Sequence, residues 1–594
     1  MSLLSIGLLV ITLKFSIGFL LAIILGILFR PKEKKIKNSV MTGIKIAIVY
    51  FILSFSYVYF VLPSQSLNQL IFYNLLGFIL GNLFSFLSSF TENNIVTDGE
   101  QRNKRSFTFQ KNGKKLLGVS ILLMVLFLIS TPIIRILSIN EIYETIPVKK
   151  VEQTEELKST KETPIAMSTK SARNKMQKMM SSVPNYSGYQ LGTTTAQLID
   201  GEYVYISGLE YRGFWKWNKY KKVPGYFKVS ATDINAQPEF VEKEMKYVPS
   251  SFLWQDAERK IYAKSSNYTR IGAVNLEIGN DGTPYYVQSL YKEYGLSGKK
   301  RYDSFKTAVL NSVTGETKVY DLKDVPEEID APLTSAVASS MNNYYGKYGK
   351  GWLNSLFSKD DVKIPTTNGI YSSGAVTPLV SKTGELLYFT DFTSDDEKQD
   401  SALGYSLINA RTGTMEFYRD TKGMMDSDGA IAISEKIYPE KKWEAKMPIL
   451  YNIEGVPTWI ISLLDTNGIF KGYVYISATD SDILVDGTDA EKTLQAYKMK
   501  LSLKGSNNKN TEIGDLVDVS GIVTRVNQVV VDGNQTVSFM LENDDKVYRI
   551  STSNNVYSMF LKDGDKVSFS ADKTKDDALI TIEDIVIENL TPTE

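Results

Sequence analysis

The amino-acid sequence predicts a chain of three parts: a membrane α-helical bundle with four transmembrane helices, a series of α+β modules, and a small all-β barrel. Three observations predict this organisation. Long uncharged apolar runs are confined to residues 1–138. A weak repeat, in which a short helical pattern is followed by a hairpin pattern, fills the middle of the chain. Alternating apolar residues typical of strands fill residues 511–590.

Four apolar runs predict the transmembrane helices. Leu116–Ile134 has nineteen residues and no charge. At about 1.5 Å of rise per residue, this run just crosses a hydrocarbon core of roughly 30 Å. The other runs are Ser5–Phe29, Ile46–Leu62 and Leu70–Phe90. Together they predict four transmembrane helices within residues 1–138.

The loops between these runs predict the orientation. Residues 30–45 hold six basic side chains and one acidic side chain, residues 92–115 hold six and three, and residues 63–69 hold no charge. Because basic loops stay in the cytoplasm, the N-terminus is expected outside and the fourth helix is expected to lead outward. The predicted location is therefore the cell membrane, with several passes, and with residues from 139 onward outside the cytoplasm.

Three residues within the predicted helices are candidates for roles in the membrane. Lys14 is the only charged residue inside the four runs. It lies on an ion path or at a partner contact, or it snorkels from one end of a long first helix. Gly77 and Gly81 form a GxxxG pair, which lets two helices approach closely. We expect this pair to hold the third helix inside the bundle rather than against another copy.

The chain contains no cysteine and no histidine. This composition excludes disulfides, thiolate chemistry, zinc sites built on Cys or His, and Ser-His-Asp catalysis. An enzyme with this sequence would depend on carboxylate, lysine, tyrosine or serine chemistry, and no motif for such a reaction stands out. The sequence therefore predicts no catalytic residue, no metal site and no cofactor.

Charge is unevenly distributed along the chain. Residues 1–138 hold 14 basic and 4 acidic side chains, and the remainder holds 53 basic and 63 acidic side chains. An acidic soluble part is repelled by phosphate backbones. Nucleic acid is therefore not an expected partner.

Residues 139–170 are rich in Glu, Lys and Thr and have little apolar periodicity, which predicts a linker. Beyond it, each repeat has a hairpin whose first turn contains a glycine: Gly201, Gly282, Gly384 and Gly455. The turns are too irregularly spaced for a solenoid, and they fit modules in which a helix packs on an antiparallel sheet. The predicted modules cover residues 171–245, 246–330, 331–425 and 426–505.

The second module resembles the PepSY family. The resemblance depends on a helix, a strand, a turn at Asp281-Gly282, and a strand that ends at Val313-Thr314-Gly315-Glu316. The third module has a looser match at Thr412-Gly413-Thr414. The resemblance covers residues 171–500 in pieces. It implies modules outside the membrane that bind or restrain other envelope proteins, and it implies no catalytic residues.

Residues 511–590 show three strand patterns, a short helix pattern and two further strand patterns. This order resembles an OB-fold, a small barrel that often binds single-stranded nucleic acid through basic and aromatic faces. The segment is acidic overall and has no tryptophan. We therefore expect a structural or protein-binding barrel rather than a nucleic-acid site.

The densest basic and aromatic stretch is Tyr211–Tyr226. In one interpretation, flat tryptophan faces and nearby cations bind a wall glycan, an anionic polymer or a lipid headgroup. In the other, the stretch is a long hairpin whose aromatic residues pack on a neighbouring unit. A second stretch, Tyr344–Trp352, has the same character. The candidate ligand-binding residues are Arg212, Trp215, Lys216, Trp217, Lys219 and Trp352.

These patterns favour a membrane-anchored binding, scaffolding or regulatory protein outside the cytoplasm, in a bacterial cell envelope and without catalysis. The expected partners are the membrane and other envelope proteins, and a cell-wall glycan or an anionic lipid is a candidate ligand. Two alternatives stay open. One is an envelope enzyme that uses carboxylates. The other is a subunit of a membrane channel or secretion assembly, in which the membrane helices are the working part.

Overall fold

The computed structural model describes most of the chain. The described residues are 3–29, 36–87, 90–97, 100–107, 111–151, 167–199, 201–233, 235–369, 376–381, 384–394, 401–419, 423–505, 516–531, 534–552, 554–572, 579–582, 584–588 and 590. They divide into two compact units, Met1–Ser481 and Asp482–Glu594. The chain combines apolar N-terminal helices with several β-sheets.

The N-terminal region has four long helices and one hairpin. The elements are α1 (Leu3–Leu28), α2 (Ile36–Val61), α3 (Leu67–Leu87), β1 (Phe90–Thr97), β2 (Glu100–Phe107) and α4 (Lys111–Leu137). Within the described residues, three helical segments are long and apolar enough to cross a membrane: Gly7–Leu28, Ser39–Val61 and Lys114–Leu137. The apolar segment of α3, Leu67–Leu83, is shorter.

Glycine allows α1 and α3 to approach closely. A Cβ atom at Gly81 would lie 2.6 Å from the Cβ of Ala22, and one at Gly18 would lie 2.0 Å from the carbonyl oxygen of Asn74. A Cβ atom at Gly77 would also contact α1, 3.3 Å from a backbone nitrogen. The side-chain oxygen of Asn74 accepts a hydrogen bond of 2.7 Å from the backbone N–H of Gly18. The GxxxG glycines therefore face α1 of the same chain.

The first unit continues with two antiparallel sheets, each preceded by a helix. The first contains β4 (Tyr189–Ile199), β5 (Glu202–Tyr211), β6 (Val223–Ser230) and β7 (Glu239–Met245), with α6 (Thr169–Met179) before it and α7 (Phe214–Tyr220) inside it. The second contains β8 (Thr269–Ile278), β9 (Pro284–Tyr291), β10 (Lys306–Asn311) and β11 (Thr317–Asp321), with α8 (Ala257–Ser265) before it.

Two more sheets follow. Helices α9 (Ser335–Tyr348) and α10 (Gly351–Leu356) precede β12 (Lys363–Pro365), β13 (Thr377–Val380), β14 (Leu386–Ser394), β15 (Tyr405–Asn409) and β16 (Met415–Tyr418). Helix α11 (Ser427–Glu435) precedes β17 (Glu444–Ile453), β18 (Val456–Leu464) and β19 (Phe470–Ser477). Short 3-10 helices lie at Met180–Ser182, Tyr186–Gly188, Leu253–Gln255, Leu322–Asp324, Pro439–Lys441 and Val556–Phe560.

Local sequence explains where these elements begin and turn. Asp256 and Asp426 cap α8 and α11, because their carboxylates accept the backbone N–H three residues later. The four glycines predicted at hairpin turns all adopt positive φ, between 74° and 82°, which glycine tolerates without a steric cost.

Hydrogen bonds link the first sheet to the second, the second sheet to the segment before α9, and the fourth sheet to the segments before α11 and before α6. The bonds are, in order, Gln197 Nε2 to Ile278 O (2.8 Å), Thr307 Oγ1 to Pro332 O (2.9 Å), Trp459 Nε1 to Met425 O (3.0 Å) and Ser168 Oγ to Gly468 O (2.7 Å). All of these contacts lie within the first unit, Met1–Ser481.

Part of the segment predicted as a linker is folded. Residues 139–151 contain α5 (Ile139–Glu144) and β3 (Val148–Val151), and β3 pairs in parallel with β16. Ile139 and Ile142 are buried, and the hydroxyl of Tyr344 donates a hydrogen bond of 3.2 Å to the carbonyl of Ile139. The prediction missed this because the apolar residues are few and their partners are distant in sequence. Residues 152–166 of the predicted linker lie outside the described residues.

The second unit contains β20 (Leu484–Gly487), α12 (Ala490–Gly505), β21 (Leu516–Val531), β22 (Asn534–Leu541), β23 (Val547–Ser551), β24 (Lys566–Asp572), β25 (Leu579–Thr581) and β26 (Val586–Ile587). The last six strands pair in the order β25-β23-β22-β21-β24-β26, with β23 and β25 parallel. Among the described residues, no pairing joins β25 to β26. The structure therefore shows a sheet rather than the closed barrel that the sequence predicts.

Candidate functional site

The basic and aromatic stretch predicted as a ligand site forms helix α7. It is not the long hairpin of the alternative interpretation, because Gly213 starts a helix at φ 89° and Lys221 ends it in a left-handed conformation. Trp217 is buried, and its indole N–H donates a hydrogen bond of 2.9 Å to Gln255 Oε1. Trp215, on the same helix, is 79% exposed. The two tryptophans therefore have different roles.

The remaining predicted residues do not form one cluster with Trp215. The guanidinium of Arg212 donates a hydrogen bond of 2.7 Å to the carbonyl of Tyr189, which links the end of β5 to the start of β4. Lys219 is exposed, and its Nζ lies 5.1 Å from the centre of the Tyr220 ring. Lys216 is half-buried. Trp352 is half-buried on α10, which belongs to a different part of the fold.

We expect substitutions at the two tryptophans to have different effects on the free energy of unfolding. Trp215→Ala should change the free energy of unfolding by less than about 0.5 kcal/mol, as an exposed surface substitution does. Trp217→Phe should cost about 1–2 kcal/mol, because it leaves the oxygen of the half-buried Gln255 without its donor. Thermal unfolding of the full-length protein in detergent measures both. Equal losses in the two variants would contradict the burial difference.

A stronger feature is the junction between α8 and the connection from α2 to α3. The hydroxyl of Tyr262 donates a hydrogen bond of 2.7 Å to the carbonyl of Pro63. The backbone N–H of Gln65 donates to the carbonyl of Ser266 at 2.7 Å, and the Gln65 side-chain amide donates to the Ser266 hydroxyl at 2.6 Å. The second sheet's helix is therefore bonded directly to the ends of the apolar helices.

An apolar cluster lies beneath these hydrogen bonds. The ring of Tyr262, 1% exposed, packs with residues of α1 and α2, and the partly buried Trp254 packs against the same cluster. The buried members from α1 and α2 are Leu8, Ile11, Phe15, Val58 and Leu62. The first half of α1 thus contacts the β-rich part of the chain, and Lys14 Nζ donates a hydrogen bond of 2.7 Å to Gln65 Oε1 in the same junction.

A charged contact completes this junction. The Arg259 guanidinium lies 4.0 Å over the Tyr59 ring, donates to the carbonyl of Tyr59 at 3.1 Å, and pairs with Asp256 at 2.7 Å. Burial raises the pKa of Asp256 to about 6, and the neighbouring Arg259 opposes this rise. The pairing stabilises both the start of α8 and its contact with α2.

A second junction lies at the end of α4. Arg135 is in the last turn of α4, and its Nε donates a hydrogen bond of 3.0 Å to the carbonyl of Ser297. Next to this contact is a cleft of about 890 Å³, which we call the Arg135 cleft. Its described lining includes six cations, drawn from α4, α9, the loop after β9 and the segment around β12: Arg135, Lys299, Lys300, Lys347, Lys359 and Lys363.

Tyrosine and serine side chains hold the lysines of the Arg135 cleft. Lys300 Nζ donates a hydrogen bond of 2.8 Å to Ser340 Oγ, and the hydroxyl of Tyr302 donates to the carbonyl of Ser340 at 3.1 Å. Lys299 Nζ lies 5.5 Å from the centre of the Tyr344 ring and 5.8 Å from that of Tyr348. Lys299 and Lys300 are thus positioned by neighbouring elements rather than fully solvated.

Sequence reasoning did not identify the Arg135 cleft. Its lysines and tyrosines come from residues 299–302 and 340–348, and only the end of the second stretch was noted as a relative of Tyr211–Tyr226. The available signal was that residues 299–302 and 340–348 both combine lysine with tyrosine. Their convergence with the end of α4 is a tertiary contact that no local pattern reveals.

Comparisons with known proteins leave the class of this chain open. No protein-family model matches it, and no curated protein matches it. Among solved structures, it is similar to a GH43_1 enzyme from Xanthomonas citri complexed with xylotriose, with 10% sequence identity, 59% of this chain and 82% of that chain covered, and a TM-score of 0.17. A likeness at that score carries no argument about fold or function.

Proposed function

We propose that this chain is a membrane-anchored binding or scaffolding protein of the bacterial cell envelope, without catalysis, whose β-rich part works outside the cytoplasm. The observation that carries the proposal is the pair of junctions that bond the second sheet to the apolar helices. Tyr262 and Gln65 form one junction and Arg135 forms the other. Such bonding holds a large binding surface at a defined position relative to the membrane, which a loose linker does not do.

The proposal includes four membrane passes, with α3 as the third. The contact of α3 with α1 through three glycines supports its place in the bundle. It also includes PepSY-like modules and an OB-like C-terminal part. The parallel pairing of β23 with β25 and the 3-10 helix Val556–Phe560 between β23 and β24 support the latter. The proposed partners are the membrane and other envelope proteins, with a wall glycan or an anionic lipid as ligand and no nucleic acid.

The absence of cysteine makes a direct test of the anchoring possible. Thr412→Cys is exposed in the β-rich part, and Lys37→Cys is exposed in the first turn of α2, within the basic segment 30–45. In intact cells, a membrane-impermeant maleimide should label Cys at 412 and spare Cys at 37, because the positive-inside rule puts the basic loop in the cytoplasm. After lysis, both should be labelled, which controls for reactivity. Labelling of position 37 alone in intact cells would overturn the orientation.

The binding role is tested by purifying the tagged full-length protein from its native membrane in mild detergent and identifying what accompanies it by mass spectrometry. A stoichiometric envelope protein is the expected result for a scaffold. Hydrolysis of peptidoglycan or of a peptide by the purified protein would contradict the non-catalytic role.

A further inference from the structure

The Arg135 cleft has more positive charge than nearby carboxylates balance. None of its described lining residues is Asp or Glu. Of the six cations, Lys363 pairs with Asp361 at 2.6 Å. The side chains of Glu293 and Arg135 both lie close to Gly298. With Lys359 left out of the count, the other five cations and these two carboxylates leave an excess of three positive charges. An excess of this size in a concave site attracts anions.

The surroundings of Lys299 and Lys300 destabilise their ammonium forms, and a bound anion would stabilise them. Burial lowers the pKa of Lys299, and the charges of Arg135 and Lys347 lower it further. Burial lowers the pKa of Lys300, and Lys299 adds to the effect. Nearby positive charge and loss of water both disfavour the ammonium form, whereas a bound anion favours it. The cleft therefore keeps its cations close together at a cost that ligand binding offsets.

The geometry suits a phosphate ester. An ammonium group has three N–H donors, and Lys300 uses one of them on Ser340 at 2.8 Å. The ammonium of Lys299 faces two aromatic rings rather than a carboxylate. Arginine and lysine together are the usual ligands of phosphate oxygens, which they bind through short charge-assisted hydrogen bonds. A volume of about 890 Å³ accommodates a headgroup larger than a single phosphate.

The surroundings of the cleft are apolar. Ser355 of α10 lines the cleft, and three other side chains of this helix and its end point outward: Leu353 is 56% exposed, Leu356 61% and Phe357 79%. Arg135 itself ends a helix of membrane-crossing length and composition. Apolar side chains beside a cluster of cations are typical of segments that lie in the interface of an anionic membrane.

We infer that the Arg135 cleft binds the phosphate-bearing headgroup of an anionic lipid, with Arg135, Lys299 and Lys300 at the phosphate and the exposed side chains of α10 in the acyl boundary. The inference rests on the proposed function, which places the end of α4 at the outer membrane surface. The chemistry recognised is a phosphate ester, and a soluble phosphate compound is the other source of it.

The test uses full-length protein in neutral detergent, incubated with mixed micelles that contain phosphatidylcholine alone or with phosphatidylglycerol. Retained lipid is counted by native mass spectrometry. Wild type should retain phosphatidylglycerol in preference to phosphatidylcholine. Lys299→Gln/Lys300→Gln should lower that retention by about tenfold or more, because it removes two of the three cations placed at the phosphate, and basic residues near an anionic lipid strengthen its binding. Equal retention of phosphatidylglycerol by wild type and this variant overturns the inference.

The matched control is Lys149→Gln/Lys150→Gln, which removes two adjacent exposed lysines from β3, outside the cleft, and should leave retention unchanged. An equal loss in this control would show general electrostatics instead of a site. If the cleft variant fails to fold, as judged by its thermal midpoint, Lys347→Gln on α9 replaces it with the same expected direction. Inorganic phosphate and glycerol 3-phosphate are added as competitors. Displacement of the lipid by inorganic phosphate at low concentration overturns the lipid source and leaves a soluble phosphate ligand.

Failure of this inference and failure of the proposed function give different results. The lipid measurement is made in detergent and does not depend on orientation in the cell. Labelling at positions 37 and 412 measures orientation and does not depend on the cleft. Loss of lipid preference with the expected labelling removes the headgroup site alone. Selective lipid retention with reversed labelling removes the extracytoplasmic placement alone.

Discussion

Tyr262→Ala is expected to open the junction between α8 and the apolar helices without unfolding the sheets. The substitution removes a ring that is 1% exposed and a hydrogen bond of 2.7 Å to the carbonyl of Pro63. Deletion of a buried aromatic side chain costs about 3–5 kcal/mol, through lost burial and the cavity that remains. The loss falls on the junction, because the other members of the cluster belong to α1 and α2.

Hydrogen exchange at the amide of Gln65 measures the effect. This amide donates to the carbonyl of Ser266 across the junction at 2.7 Å, so its protection reports whether the junction is closed. A loss of about 3 kcal/mol should speed its exchange by roughly two orders of magnitude. The amide of Val474, buried in β19, should keep its protection. Tyr186→Ala, at an exposed tyrosine, is the control variant and should leave both amides unchanged. Unaltered exchange at Gln65 in a folded Tyr262→Ala protein would show that the junction has other, sufficient supports.

The stability of the β-rich part is expected to fall as the pH rises from about 5 to 8, and Glu277 is expected to dominate this dependence above the aspartate pKa of about 6. Glu277 lies in β8, fully buried, and its Oε2 accepts the backbone N–H of Asp330 at 3.0 Å. Burial raises the pKa of Glu277 to about 8, the nearby Asp330 raises it further, and backbone donors and Arg411 oppose the rise.

The direction of the change in stability follows from the number of protons that the folded and unfolded states bind. Between the ordinary glutamate pKa and about 8, the folded protein keeps a proton on Glu277 that the unfolded chain has released. The folded state then binds more protons, so stability is fully present below the ordinary pKa and is lost as the pH rises through the folded value. At 1.36 kcal/mol per pH unit and proton, the loss amounts to roughly 3 kcal/mol by pH 8. Asp256, Asp330 and Asp391, each with a pKa raised to about 6 by burial, act in the same direction up to that pH.

Thermal midpoints of the full-length protein in a neutral detergent, measured from pH 5 to 9, provide the test. Wild type should become less stable as the pH rises. Glu277→Gln should remove most of the slope above the aspartate pKa of about 6, because glutamine still accepts the backbone N–H but does not titrate. Glu242→Gln, at an exposed glutamate, is the matched control and should keep the wild-type slope. An undiminished slope in Glu277→Gln would show that other groups carry the linkage.

Short-range patterns explain which parts of the fold could be predicted. Uncharged runs predicted the apolar helices, and three of them have the length and composition to cross a membrane. Glycines at hairpin turns predicted positions of positive φ, and all four adopt it. Both features depend on residues close together in the chain. The folding of residues 139–151 was missed because β3 pairs with β16, more than 250 residues later.

The contrast between short-range pattern and tertiary contact also explains why the predicted site differs from the observed one. Composition alone showed that α7 is basic and aromatic, but tertiary contacts bury Trp217 against Gln255 and leave Trp215 in solvent. The Arg135 cleft draws its cations from four separate elements, and Arg135 meets Ser297 across 162 positions of sequence.

By itself, the sequence determined which segments are apolar enough for a membrane, where hairpins turn, and which catalytic chemistries the missing cysteine and histidine exclude. Only the tertiary structure decided that α8 bonds to the ends of the helices and that separate lysines share one cleft. The physical reason is range: hydrophobic period, charge and turn preference act within a few residues, whereas burial and the meeting of like charges depend on elements that come together only when the chain has folded.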